Sequence, residues 1–256
     1  DKFNIKTKIK ILFLGDSVPF GWGVNAENSL PNIFQKKNEN FISINGAIPS
    51  FELSEAIERL KIEFINIQNL NYIYFHTMDP SSQYSILGTK WIPGDSWTNK
   101  SEHILRQFNL IEIKIPFYGE PYAYTLIKRL LVGKNFNASF NKPNSISDER
   151  YRKYIENQLL ELLFLTKSIN AKLILSPITI PAHVINDRDD YYLRAVDIFN
   201  KTIKKFTYEN QVIFFDTKSF LSKNSRNNFI DNCCHLSKTG SEILSDELEK
   251  ILLKNL

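Results

Sequence analysis

The sequence predicts an α/β protein, a three-layer α/β/α sandwich around a five-stranded parallel sheet. Three observations carry this expectation. Five short runs rich in β-branched and aromatic residues are nearly continuously apolar, as strands are when both faces of a parallel sheet are covered. Amphipathic helical stretches lie between them, the pattern of βαβ units with right-handed crossovers. The polar residues with chemistry to offer gather just after the runs, where open parallel sheets bind ligands.

The first run is "IKILFLG" at 9–15, followed by "FISIN" at 41–45, "YIYFH" at 72–76, "KLILSP" at 172–177 and "QVIFFD" at 211–216. After the second run, "ELSEAIERLKIEFINI" places Leu53, Ile57, Leu60 and Phe64 on one helical face, with Ser50 as its expected cap. "SDERYRKYIENQLLELLFLTKSI" reads as a long amphipathic helix opened by Ser147. "YYLRAVDIFNKTIKKFTYE" and "SKTGSEILSDELEKILLKNL" complete the helices, the last capped by Ser237. From about 80 to 144 the rhythm breaks. That stretch is rich in Pro, holds Trp91 and Trp97, and shows one short helical pattern, "YAYTLIKRLLVG". It reads as an insertion over the sheet's functional edge, within one domain spanning 1–256.

Composition removes several classes of function. Thirty-two basic residues against 28 acidic ones leave a net charge of +4 with no dense Lys/Arg block, so nucleic-acid binding has no support. The two cysteines are adjacent, Cys233 and Cys234, and make no disulfide framework. The histidines are scattered, without the spacing of a metal site. No run of about 18 apolar residues is present to span a bilayer. The sequence opens on Asp1 and not on Met, which is compatible with a trimmed signal or anchor and does not fix the compartment. A periplasmic or cell-surface location would follow from such trimming, and a cytoplasmic one otherwise.

Four segments converge on the carboxyl rim of the sheet: Gly15-Asp16-Ser17, Asn45-Gly46, His76-Thr77-Met78-Asp79, and the loop carrying Asp231 and His235. Each has an ordinary reading, since Asp, Ser, Asn and Gly are common turn formers. Their convergence favours catalysis. A carboxylate shortly before a histidine can accept its Nδ1–H and leave Nε2 free as a base. Ser17 sits where a helix begins, close to backbone N–H groups and the positive end of its dipole. Ser17 as nucleophile, His235 as base and Asp231 as its orienting acid make an acyl-transfer site.

These residues resemble the SGNH/GDSL hydrolases. "LGDSVPFGWGV" resembles the first sequence block of that family, "INGAIPSFELSEAIERL" the second, "YIYFHTMDP" the third and "FIDNCCHLSKTGSEILSDEL" the last. The resemblance implies a flavodoxin-like fold, a Ser-His-Asp triad and no cofactor. It also implies oxyanion or substrate contacts around Ser50, Gly46, Thr77 and Met78. Three departures stand out. Ser50 replaces the family's oxyanion Gly, leaving its backbone N–H as the donor. Met78 replaces the oxyanion Asn and cannot donate, which makes Thr77 or His76 the substitute; one lost donor of this kind costs about 2.7–4 kcal/mol. Three residues separate Asp231 from His235 where the family has two, so Asn232 occupies the ungapped position of the acid and Asp231 must reach the ring across a bulged loop.

The expected activity is therefore a carboxylic ester hydrolase removing an acyl group, acetyl first among them, from a glycan or similar polar alcohol. The same triad serves an O-acyltransferase, and the missing Asn would suit a non-catalytic glycan-binding or assembly module. Trp91, Trp97, Phe117, Tyr118, Tyr122 and Tyr124 of the insertion suit stacking on sugar rings, although packing is the commoner use of such residues. His183, Arg188 and Asp189 follow the fourth run and read better as a solvated loop than as substrate contacts.

Overall fold

The structure, a computed structural model, describes residues 8–49, 51–77, 148–187, 190–222, 225–231 and 234–255. The expected insertion at about 80–144, with its aromatic residues and short helix, lies outside the described residues.

Five parallel strands form the sheet: β1 (Ile9–Gly15), β2 (Phe41–Asn45), β3 (Leu70–His76), β4 (Lys172–Leu175) and β5 (Ile213–Phe214). Their order is β2-β1-β3-β4-β5, so the winding reverses between β1 and β3. That reversal opens a crevice at the carboxyl ends of those two strands. Central β1 explains its own composition. Ile11, Leu12, Phe13 and Leu14 are all fully buried, because successive side chains enter opposite faces and both faces are covered.

On one face Phe13 meets Phe34 of α2 (Leu30–Lys37) edge-on, and Tyr72 of β3 reaches the carbonyl of Asn255 just past α8 (Lys238–Lys254). Helices α2 and α8 pack together on that side. Leu12 points the other way, beside Gly46 and Phe64. There α3 (Leu53–Arg59) packs on α4 (Asp148–Ser168), and α4 packs on α5 (Asp190–Asn210). This is the expected three-layer sandwich. The remaining helices are short: α1 (Ser17–Phe20), α6 (Thr217–Leu221) and α7 (Ser225–Asn228).

Several boundaries differ from the sequence expectation. Strand β3 starts two residues early, at Leu70. Strand β4 stops at Leu175, since Pro177 has no N–H to continue a ladder. Strand β5 shrinks to Ile213–Phe214, a half-buried edge pair following a left-handed Gln211. Glu52 takes the N-cap position of α3, its backbone N–H donating to Glu55 at 2.7 Å. Ser50 and Ser147, the expected caps of two helices, lie outside the described residues. Ser237 caps α8 as its sequence implies, accepting from the N–H of Gly240 at 3.1 Å. Helix α2 has no counterpart in the sequence reading; at eight residues it shows only two turns of pattern.

Candidate active site

The nucleophile turn is built by the sheet. Gly15 ends β1 in register with His76 and has φ +128°. A Cβ there would lie 1.7 Å from the His76 carbonyl oxygen, so no other residue fits beside β3. The His76 carbonyl accepts the Asp16 N–H at 3.4 Å, and the Gly15 carbonyl accepts the Ile48 N–H at 3.0 Å. Asp16 is buried and caps α1. Its Oδ1 accepts the Val18 N–H at 3.1 Å, and its Oδ2 accepts the Thr77 hydroxyl at 3.4 Å. Ser17 is thereby set as the first residue of α1, which is one turn long; its dipole is correspondingly small.

The other half of the site is a loop closed on itself. Phe229 and Leu236 form an antiparallel bridge, and the Ile230 N–H donates to the His235 carbonyl at 2.9 Å. Inside the loop, Oδ1 of Asp231 accepts the backbone N–H groups of Cys234 (2.9 Å) and His235 (3.2 Å). Its Oδ2 accepts from His235 Nδ1 in a short hydrogen bond. The three intervening residues are accommodated because the carboxylate turns the chain back on itself. Asn232, the alternative acid, lies outside the described residues. A proton on Nδ1 leaves Nε2 as the acceptor, and Nε2 stands 2.9 Å from Ser17 Oγ. The Asp231 side chain is 36% exposed and that of His235 16%. The structure thus brings together all three residues singled out for the triad, across 218 positions of sequence for the Ser–His pair.

The other candidate residues divide. Ser50 and Met78 lie outside the described residues. Gly46 donates its N–H to the Phe13 carbonyl at 2.8 Å, while its carbonyl accepts from Arg59 at 2.7 Å. Its backbone is therefore engaged in the turn after β2 and offers no donor to an oxyanion. Thr77 is buried, and its hydroxyl serves Asp16 under the nucleophile turn instead of the rim. His76 is also buried, with Nδ1 sharing a 2.6 Å hydrogen bond with Ser176 Oγ. Neither side chain takes the place of the missing Asn. His183 is half-buried in a short 3-10 turn (Ala182–Asp187). Arg188 and Asp189 lie outside the described residues.

Sequence reasoning missed the buried polar cluster next to this turn. Ser176 donates to Tyr74 Oη at 3.2 Å, and the Tyr74 and His76 rings are parallel at 6.5 Å. Burial pushes the His76 pKa down to about 3, which keeps the ring neutral at ordinary pH. Burial pushes the Tyr74 phenol well up, and the negative charge of Asp16 adds to that. The available signal was a polar residue ending each of two adjacent strands. Among the described residues, no three His, Cys, Asp or Glu stand together as a metal site. No described helix is long and apolar enough to cross a membrane.

No family model matches the sequence, and no curated protein matches it. Solved structures do. A lipolytic protein of the G-D-S-L family from Veillonella parvula is 13% identical with a TM-score of 0.57, covering 96% of this chain and 99% of that one. The fold is that of the G-D-S-L esterases. A psychrotrophic esterase from Pseudoalteromonas sp., solved with monoethylphosphonate as inhibitor, is 15% identical with a TM-score of 0.56, over 96% of this chain and 97% of its own. An acetyl xylan esterase is 12% identical with a TM-score of 0.56, over 94% and 98%. In the G-D-S-L fold of this chain, the crevice between β1 and β3 is where Ser17 stands.

Proposed function

We propose that this chain is a serine esterase that removes an acyl group, acetyl first among them, from a glycan or similar polar alcohol. The observation that carries the reading is the 2.9 Å contact of Ser17 Oγ with His235 Nε2, with Asp231 on the opposite ring nitrogen. Nε2 takes the Ser17 proton as Oγ attacks the ester carbonyl, and the tetrahedral intermediate collapses when Nε2 returns that proton to the departing alcohol. Water then attacks the acyl-Ser17 ester, with His235 again as base. Asp231 holds the Nδ1–H throughout and stabilises the imidazolium of each transition state. The kinship in fold with an esterase and an acetyl xylan esterase supports this chemistry and the choice of acetyl.

A fluorophosphonate probe and an aryl acetate test the reading. Labelling and turnover that both vanish in Ser17→Ala support it. Absence of labelling in the unsubstituted chain overturns it in favour of a non-catalytic binding module. Product analysis with a glycan acceptor present separates hydrolysis from O-acyl transfer.

A further inference from the structure

Three large apolar side chains beside the candidate triad are left in solvent: Phe20 at 42%, Trp22 at 41% and Ile230 at 44% exposure. Each is tied to the site by its own backbone. The Trp22 N–H donates to the Ser17 carbonyl at 3.0 Å, and the Ile230 N–H donates to the His235 carbonyl. Phe20 closes α1, its N–H on the Asp16 carbonyl at 3.1 Å. The two loops also meet. Gly23 has φ +82°, and a Cβ on it would sit 2.2 Å from Ile230 Cδ1. Trp22 is therefore held between Gly21 (φ +89°) and Gly23, on a turn that touches the base-bearing loop.

Exposing an indole, a phenyl ring and an isoleucine together carries a hydration cost that gains nothing for the fold. It becomes useful when a ligand covers them. All three residues sit on the two segments that carry Ser17 and His235, tied to them by backbone hydrogen bonds, so a ligand covering them would border the candidate triad. The platform also has a polar edge. Asn45 is exposed and fixed by Phe20, its Nδ2 donating to the Phe20 carbonyl at 3.2 Å, which uses one of its two amide hydrogens. A flat aromatic face bordered by an amide suits a ring with C–H bonds on one face and hydroxyls at its rim. A long acyl chain would call for enclosure on most of its surface.

From this we infer that Trp22, with Phe20, Ile230 and Asn45, forms a subsite for the alcohol half of the substrate, and that the subsite takes a pyranose ring by stacking. The inference rests on the esterase reading and adds the substrate's shape to it. Three esters test it on the full chain: a methyl O-acetyl-pyranoside, ethyl acetate and ethyl decanoate. Trp22→Ala is expected to lower kcat/KM for the pyranoside about tenfold more than for ethyl acetate, chiefly through KM. Trp22→Phe, which keeps a ring face, is expected to restore most of that ratio. Equal losses on the pyranoside and ethyl acetate overturn the inference, as does a loss selective for the decanoate, which would assign the platform to an acyl chain. Binding of the unacylated methyl pyranoside, read as quenching of the indole fluorescence that Trp22→Phe removes, stands apart from the reaction. If fluorophosphonate fails to label Ser17 while quenching persists, the esterase reading falls and the sugar platform stands. No quenching, together with normal labelling, overturns the platform alone.

Discussion

The two halves of the candidate triad are held in different ways. The nucleophile turn is sealed into the sheet. Gly15 touches the β3 backbone, Asp16 is 3% exposed, and its carboxylate joins α1 to Thr77 after β3. The base and acid ride on a loop in which Asp231 accepts the loop's own Cys234 and His235 N–H groups, and the Asp231 side chain is 36% exposed. Tertiary burial fixes Ser17, while local loop chemistry fixes His235. Damage to the first half should therefore cost the fold, and damage to the second should cost the reaction.

Asp231→Asn should give the largest effect. Losing the acceptor at Nδ1 frees the ring to adopt the wrong tautomer, and ester turnover should fall about 10,000-fold. The urea midpoint should move little, because the amide oxygen can still accept the two backbone N–H groups. A large loss of stability in this variant would abolish the contrast between the halves. Gly15→Ala should do the reverse. With the His76 carbonyl 1.7 Å from the new Cβ and φ at +128°, the strand must shift, and about 4 kcal/mol of stability or more should disappear in urea unfolding.

His76 gives a third outcome, in pH dependence. Its folded pKa of about 3 lies below the unfolded value of 6.5, so the unfolded chain binds the proton first as pH falls. The stability due to the neutral ring is complete above pH 6.5 and is lost progressively toward pH 3, by about 1.4 kcal/mol per pH unit. Urea titrations of the unsubstituted chain and His76→Gln between pH 6.5 and 4.5 should diverge in slope by that amount; parallel curves would mean that the ring is not buried neutral. Thr77→Val should give the smallest effect. Losing one hydroxyl donor to buried Asp16 should cost about 1 kcal/mol of stability, with a decline in kcat as the turn loosens.

Much of this architecture was legible in the chain. Strands β1 and β2 begin and end where their apolar runs do: β1, buried along nearly its whole length, announces itself by composition alone, and half-buried β2 ends where exposed Asn45 follows its apolar residues. The Asp16 and Ser237 caps are likewise local: each needs only a short polar side chain within a few positions of its backbone partner. β5 was overestimated, since Gln211 and Val212 have the composition of a strand but only two of the following residues find a partner at the sheet's edge. Gly46 and Thr77 looked available to a substrate because sequence shows which groups can donate, not which acceptors Phe13 and Asp16 would present to them.

By itself the sequence determined the α/β class, the position of Ser17 after a buried strand, and the presence of an Asp and a His near the other end. Periodicity and turn chemistry act over a few residues, so they can be read without a fold. Only the tertiary structure decided the strand order, the reach of Asp231 across a three-residue gap to Nδ1, and the 2.9 Å approach of His235 to a serine 218 positions away. The strand order and the approach of His235 to Ser17 depend on which distant segments the sheet makes neighbours, while the Asp231 contact forms only when its own loop closes on itself.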